Sequence, residues 1–227
     1  MSTDLFDSVA DVLPPRELMA EGAVLLRGFA KPSEEELLAA LREIVREAPF
    51  RRMFTPGGHQ MSVAMTNCGN AGWVTDTSGY RYDGADPESG KPWPEMPESF
   101  RELALRAAEE AGFSGFTPDA CLINRYAPGA RMSLHQDKDE KDYAAPIVSV
   151  SLGLPAVFMF GGAKRSDKTQ RHRLQHGDVV VWGGPARLNF HGVDTLREDQ
   201  CALTGSRRFN LTFRRALLER DPDGFPI

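Results

Sequence analysis

From residue 119 onward the chain is divided by turns into short apolar runs, and this regularity narrows the possible folds more than any other feature. The runs cover 120–126, 131–136, 147–153, 156–160, 178–182, 187–191 and 207–214. Pro128-Gly129 turns the first into the second, with proline fixing φ and glycine accepting positive φ. Strands this short and this evenly spaced suggest a sandwich or jelly roll, in which antiparallel sheets enclose a central site.

His135-Gln136-Asp137 lies at the end of the second run. Two residues apart on an extended backbone, His135 and Asp137 point to the same side and can share one metal ion. A bare His-x-Asp is weak evidence, because surface polarity produces many. One distant histidine would complete a two-His-one-carboxylate face, which suits non-haem Fe(II) and leaves positions for substrate and O2. Of the five histidines, His191, in Asn-Phe-His-Gly, is the best third ligand. Asn124 and Tyr126 share one face of their strand, and Arg208, Asn210 and Arg214 alternate along another. These groups suit a dicarboxylate held beside a metal. Six residues separate Arg208 from Arg214, roughly 20 Å at ~3.3 Å per residue, so both reach one small dicarboxylate only if both lean inward. One arginine is expected to grip the distal carboxylate bidentately. The other serves either the metal-proximal carboxylate or the ligand shell.

Ahead of this region the pattern changes. Residues 1–20 read as an N-terminal arm and 22–28 as a strand. A helix follows, capped by Ser33 with Glu36 three residues on, and presents Leu37, Leu38, Leu41, Ile44 and Val45 on one face. A second helix runs from about Pro97 to Ala111 and stops at Gly112. Between the helices, 50–96 is irregular apart from 61–65, and its aromatics favour an ordered lid over a disordered segment. A net charge of −5 argues against a protein that coats nucleic acid through bulk charge, but it allows a local basic groove. Two basic clusters stand out: Lys164, Arg165, Lys168, Arg171 and Arg173 in one, Arg51 and Arg52 in the other. Three scattered cysteines suggest a reducing compartment. With no signal peptide or membrane-length apolar run, the expectation is a cytoplasmic enzyme with no membrane association. Nothing points to an obligate protein partner.

Four longer motifs add a resemblance. Met61-Ser-Val-Ala-Met-Thr-Asn-Cys-Gly69, Asp119-Ala-Cys-Leu-Ile-Asn-Arg-Tyr-Ala-Pro-Gly129, Leu134-His-Gln-Asp-Lys-Asp-Glu140 and Phe209-Asn-Leu-Thr-Phe-Arg214 together resemble the AlkB family of dioxygenases that repair alkylated nucleic acids. The likeness runs from about Glu21 to Arg215. It implies a mainly β fold with flanking helices (α+β), a double-stranded β-helix (jelly roll) with an N-terminal nucleotide-recognition lid. On that reading 21–215 is one catalytic domain, with 50–96 as lid and 119–215 as β-helix core, and 216–227 is a C-terminal tail. Fe(II) would be the metal, with 2-oxoglutarate and O2 as co-substrates.

Position by position, His135, Asp137 and His191 match the family's iron ligands, and Asn124, Tyr126, Arg208, Asn210 and Arg214 its co-substrate site. The implied reaction is oxidative demethylation of bases such as 1-methyladenine or 3-methylcytosine in DNA or RNA, with release of succinate and formaldehyde. The base must be single-stranded or flipped from the duplex to reach the metal. Trp73 matches the stacking residue, Tyr80 a lid residue near the nucleotide backbone and Arg165 a residue near the lesion, while Asp139 is placed to meet the exocyclic amine. His59 and Asn189 depart from the family pattern, each replacing an aromatic residue, which puts lesion preference rather than the reaction in doubt. A protein or small-molecule hydroxylase on the same fold is the competing enzyme reading. A nucleic-acid-binding module with a redundant metal is the non-enzymatic one.

Overall fold

The segment Arg-Phe-Asn-Leu-Thr-Phe-Arg, 208–214, alternates polar and apolar residues, and the fold sends each set to a different face. Phe209, Leu211 and Phe213 join a core beneath two helices. Arg208, Asn210, Thr212 and Arg214 turn the other way and are nevertheless buried. Two faces covered at once require layers on both sides of the sheet.

The computed structural model describes residues 14–217. In chain order the strands are β1 (Arg16–Ala20), β2 (Ala23–Leu26), β3 (Ala64–Gly69), β4 (Gly72–Asp76), β5 (Gly79–Asp83), β6 (Ala120–Tyr126), β7 (Met132–His135), β8 (Ile147–Gly153), β9 (Ala156–Phe160), β10 (Gln170–Leu174), β11 (Val179–Trp182), β12 (His191–Val193) and β13 (Arg208–Arg214). The helices are α1 (Glu34–Glu47) and α2 (Glu98–Glu110). The larger sheet has the order β1-β2-β11-β8-β13-β6-β3 and the smaller one β10-β9-β12-β7, with β4–β5 as a separate hairpin. The pairings between these strands are antiparallel. This is the expected double-stranded β-helix.

One core lies between the larger sheet and the helices. Leu37, Leu38, Leu41 and Ile44 of α1 and Phe100, Leu103 and three alanines of α2 cover Val148, Val150, Ile123 and Leu211. The second core lies between the sheets, where Leu25, Val180 and Trp182 meet Phe158 and Phe160. On β6, β8 and β13 the inner face turns polar instead. Asn210 stands opposite both Asn124 and Ser151, and Arg208 opposite Tyr126. That polar floor is where the sandwich opens into a cavity. No helix among the described residues is long and apolar enough to cross a membrane.

Several boundaries differ from the sequence reading. Residues 16–20, expected in the arm, form an edge strand on β2; residues 1–13 and the tail from 218 lie outside the described residues. Ser33 makes no side-chain cap, because a 3₁₀ turn over Lys31–Ser33 leads into α1 instead. The run 187–191 is not a strand before His191: a 3₁₀ turn at Gly184–Ala186 precedes it, and Arg187 turns inward to bond the carbonyls of Ala145 and Asp137. β10 was hidden by its composition, Gln-Arg-His-Arg-Leu, since a polar edge strand shows little apolar alternation. The stretch 50–96 is more regular than expected. It contributes β3 to the edge of the larger sheet, then the β4–β5 hairpin.

Candidate metal centre and the cavity above it

Antiparallel register brings the two histidines together. β12 pairs with β7 so that His191 lies opposite His135, with ring centroids 4.4 Å apart. Asp137 follows just past the end of β7. Its Oδ1 is 3.6 Å from His135 Nε2 and its Oδ2 is 3.7 Å from His191 Nε2. The three donor atoms lie within 4.8 Å of one another, and no other such cluster is found among the described residues. Each imidazole is oriented by its own strand: His135 Nδ1 meets the Ser133 carbonyl at 2.8 Å and His191 Nδ1 the Asn189 carbonyl at 3.0 Å. An Nδ1–H bonded in this way leaves Nε2 as the lone-pair ligand. The Asn189 departure is therefore harmless to His191, because the main chain supplies the contact.

Burial alone would push the Asp137 carboxyl up. Arg214, His191 and His135 reverse this and hold it well below the usual carboxylate range. Burial, with His135 beside it, pushes His191 down to about 4. An ionised carboxylate and a neutral imidazole are the forms a divalent metal binds. The donor set thus fits the 2-His-1-carboxylate arrangement of non-haem Fe(II) oxygenases.

Arg214 donates to Asp137 Oδ2 through Nε at 3.0 Å and Nη2 at 2.6 Å. Its Nε also lies 3.3 Å from Glu140, which accepts from the Tyr82 hydroxyl at 2.7 Å and from Arg187 at 3.1 Å. Two buried guanidinia are thereby balanced by two buried carboxylates. Removing one member of such a buried pair typically costs 3–5 kcal/mol, because a charge is left uncompensated. Glu140, Arg187 and Tyr82 were not singled out from sequence. They come from three distant segments, and no local pattern marks them.

Arg208 has the opposite character. Its Nη2 donates to Ser151 Oγ at 3.0 Å and its guanidinium lies 4.9 Å from the Tyr126 ring centre. Among the described residues its Nε and Nη1 are buried without a hydrogen-bond partner, as is Asn124 Oδ1. Asn210, by contrast, is satisfied, donating to Ser149 Oγ and the Val150 carbonyl and accepting from Asn124 and Thr212. Leaving a buried charged donor unmet is expensive, and a buried guanidinium with unmet N–H groups is a ready partner for a carboxylate. The residues present therefore fit a dicarboxylate with its far end at Arg208.

Both groups open into one cavity of about 960 Å³, whose rim carries the remaining sequence candidates. Trp73 on β4 and Tyr80 on β5 stack at 5.7 Å and 21°. The Trp73 indole N–H donates to Asp139 Oδ2 at 2.8 Å. Arg165 reaches the Leu134 carbonyl at 2.6 Å and lies 5.9 Å from the Phe190 ring. Asn67, missed in the sequence, fixes the hairpin: its amide bonds both the Trp73 N–H and carbonyl, at 3.0 and 3.1 Å. Both basic clusters are neutralised in part. Arg171 is paired with Asp194, and Arg51 with Asp86 and Glu88. His176 bridges the Gly153 N–H and Glu34, away from the metal cluster.

A sequence profile described as the 2OG-Fe(II) oxygenase superfamily matches residues 22–214. The alpha-ketoglutarate-dependent dioxygenase AlkB of Escherichia coli is 57% identical over 212 residues, covering 93% of this chain and 98% of that protein. The chain belongs to the 2OG-Fe(II) oxygenase superfamily, among the AlkB dioxygenases. An AlkB homologue from Caulobacter vibrioides is 46% identical over 81% of this chain and 82% of its own length. Among solved structures, OsALKBH1 superposes with a TM-score of 0.77 at 28% identity, covering 88% of this chain and all of that one. The chain is accordingly an Fe(II)- and 2-oxoglutarate-dependent dioxygenase.

Proposed function

We propose that the chain oxidatively demethylates N-alkylated bases of the 1-methyladenine and 3-methylcytosine type in DNA, single-stranded or base-flipped, with RNA as the alternative strand. The observation that carries this reading is the stacked Trp73–Tyr80 pair, tied to Asp139, at the rim of the cavity that holds the metal cluster. A small-molecule hydroxylase has no need of an aromatic platform joined to a carboxylate.

In this reading His135, Asp137 and His191 hold Fe(II). Arg208, with Tyr126, Asn124 and Asn210 around it, takes the far carboxylate of 2-oxoglutarate, and Arg214 keeps Asp137 in place at the metal end. Bound iron would supply activation of O2 coupled to decarboxylation of 2-oxoglutarate to succinate. The methyl group so oxidised leaves the base as formaldehyde. The protein's own contribution is positioning. Trp73 stacks on the extruded base, Asp139 accepts from its exocyclic amine and stabilises its positive charge, Tyr80 lies toward the strand backbone, and Arg165 closes the side near Phe190. Residues 50–96 act as the recognition lid over a core of 119–215. Three unpaired cysteines suit work in the cytoplasm.

The test is release of formaldehyde and succinate from a methylated oligonucleotide, with and without Fe(II). Iron-dependent, stoichiometric release is expected, abolished in His135→Ala, Asp137→Ala and His191→Ala. Normal turnover by any of the three at matched iron loading would remove that residue from the metal site.

A further inference from the structure

We propose that Arg52, Arg125 and Arg207 form a phosphate-binding cleft, separate from the metal cavity, that grips the sugar–phosphate backbone of the substrate strand. This deepens the function proposed above and rests on it. The three come from different parts of the chain. Arg52 follows the bridge between Arg51 and Met65, Arg125 lies on β6 opposite Ala64, and Arg207 immediately precedes β13. Together with Phe50 and Ser62 they line a cleft of about 300 Å³ that contains no carboxylate.

Strand alternation explains the separation from the active site. Asn124, Tyr126 and Arg208 face the sandwich interior, so their neighbours Arg125 and Arg207 emerge on the other face. Arg51 is neutralised by Asp86 and Glu88, but among the described residues no carboxylate pairs with Arg52, Arg125 or Arg207. In a chain with net charge −5, three neighbouring cations without a counter-charge are an exception. They also repel one another: burial, then Arg207 and Arg52, push the Arg125 guanidinium below its ordinary value. Arg125 is held nonetheless, 4.5 Å over the Phe50 ring, which itself packs on Phe209 at 5.9 Å.

A fixed guanidinium flanked by two exposed ones is a site for a doubly or singly charged oxyanion. The rim selects the source. Ser62 borders both this cleft and the metal cavity, so a strand whose base enters the cavity can run its backbone past Ser62 into the cleft.

The test compares Arg52→Glu/Arg207→Glu with Arg46→Glu/Arg101→Glu, an equal charge change on the exposed faces of α1 and α2. Binding of a single-stranded oligonucleotide carrying one 1-methyladenine is measured by anisotropy across a salt series, and turnover is measured on the same oligonucleotide and on a methylated trinucleotide. The cleft variant is expected to lose about 10-fold or more in affinity for the long strand. Its salt slope should fall by about 1.4, at ~0.7 per phosphate contact on single strands. Its kcat at saturating strand and its trinucleotide turnover should match the wild type, as should all properties of the control. An equal loss in both variants, or no loss in either, overturns the cleft. Binding of inorganic phosphate that the cleft variant abolishes, with oligonucleotide affinity unchanged, overturns the backbone as its ligand. Failure of the wild type to demethylate any oligonucleotide would instead reject the function proposed above.

Discussion

Arg208 and Arg214 carry the same side chain on the same face of β13, and their surroundings divide the work between them. Arg214 is held by Asp137 and Glu140, whereas among the described residues two buried donors of Arg208 have no hydrogen-bond partner. Arg208→Ala should therefore weaken 2-oxoglutarate binding by roughly 10-fold or more, at 1.5–3 kcal/mol per charged hydrogen bond, and leave iron loading intact. Arg214→Ala should weaken iron and 2-oxoglutarate together, because Asp137 loses the group that orients it. Calorimetric titration of each ligand checks the split; equal behaviour of the two variants would contradict it. Trp73 separates base recognition from iron chemistry. Its replacement by alanine should lower turnover of a methylated oligonucleotide by roughly 5- to 150-fold, the range of ~1–3 kcal/mol per stacked base. DNA-independent succinate formation should persist. Trp73→Phe should recover only part of the loss, since it restores the π face but not the N–H bond to Asp139. Loss of both activities in the alanine variant would make Trp73 a structural anchor instead.

At the scale of elements, the β4–β5 hairpin depends on a close approach that only glycine permits. A Cβ on Gly72 would lie 2.4 Å from the Trp93 ring and 2.7 Å from Asn67 Cβ. Asn67 is the residue that clamps Trp73, so a shift there moves the stacking platform. Gly72→Ala should destabilise the protein by about 1–3 kcal/mol, as overpacking does. Oligonucleotide turnover should fall more than strand-independent 2-oxoglutarate decarboxylation. Equal falls in both activities would show that the strain reaches the sandwich rather than staying in the hairpin.

At the scale of the molecule, the buried cluster makes the metal-free protein acid-sensitive. His191 has a native value of about 4 against an ordinary 6.5. Between those values the unfolded chain binds a proton that the native state refuses, so stability falls as pH drops through that window. At ~1.36 kcal/mol per unit the loss approaches about 3 kcal/mol. His172, also lowered by burial, acts in the same direction. Asp137 adds to the loss below the ordinary carboxylate range, where the unfolded chain protonates first. Urea unfolding of metal-free protein from neutral pH to pH 4 should show this decline, and His191→Gln should flatten it. An equal decline in the variant would assign the sensitivity elsewhere.

What the sequence determined by itself is whatever depends on period and proximity. Alternation along 208–214 marked a half-polar strand, two-residue spacing put His135 and Asp137 on one side, and apolar spacing located both helices. What depends on pairing between distant segments stayed hidden. The register of β12 on β7 decides that His191 faces His135, and the inward turn of Arg187 decides where that strand begins. The Tyr82–Glu140–Arg187 network and the clamp by Asn67 are likewise contacts across layers, which no local pattern encodes. The two arginines of β13 could not be told apart in one dimension. Both are buried, and partner supply distinguishes them: only the packed sandwich gives Arg214 two carboxylates and, among the described residues, leaves Arg208 with none.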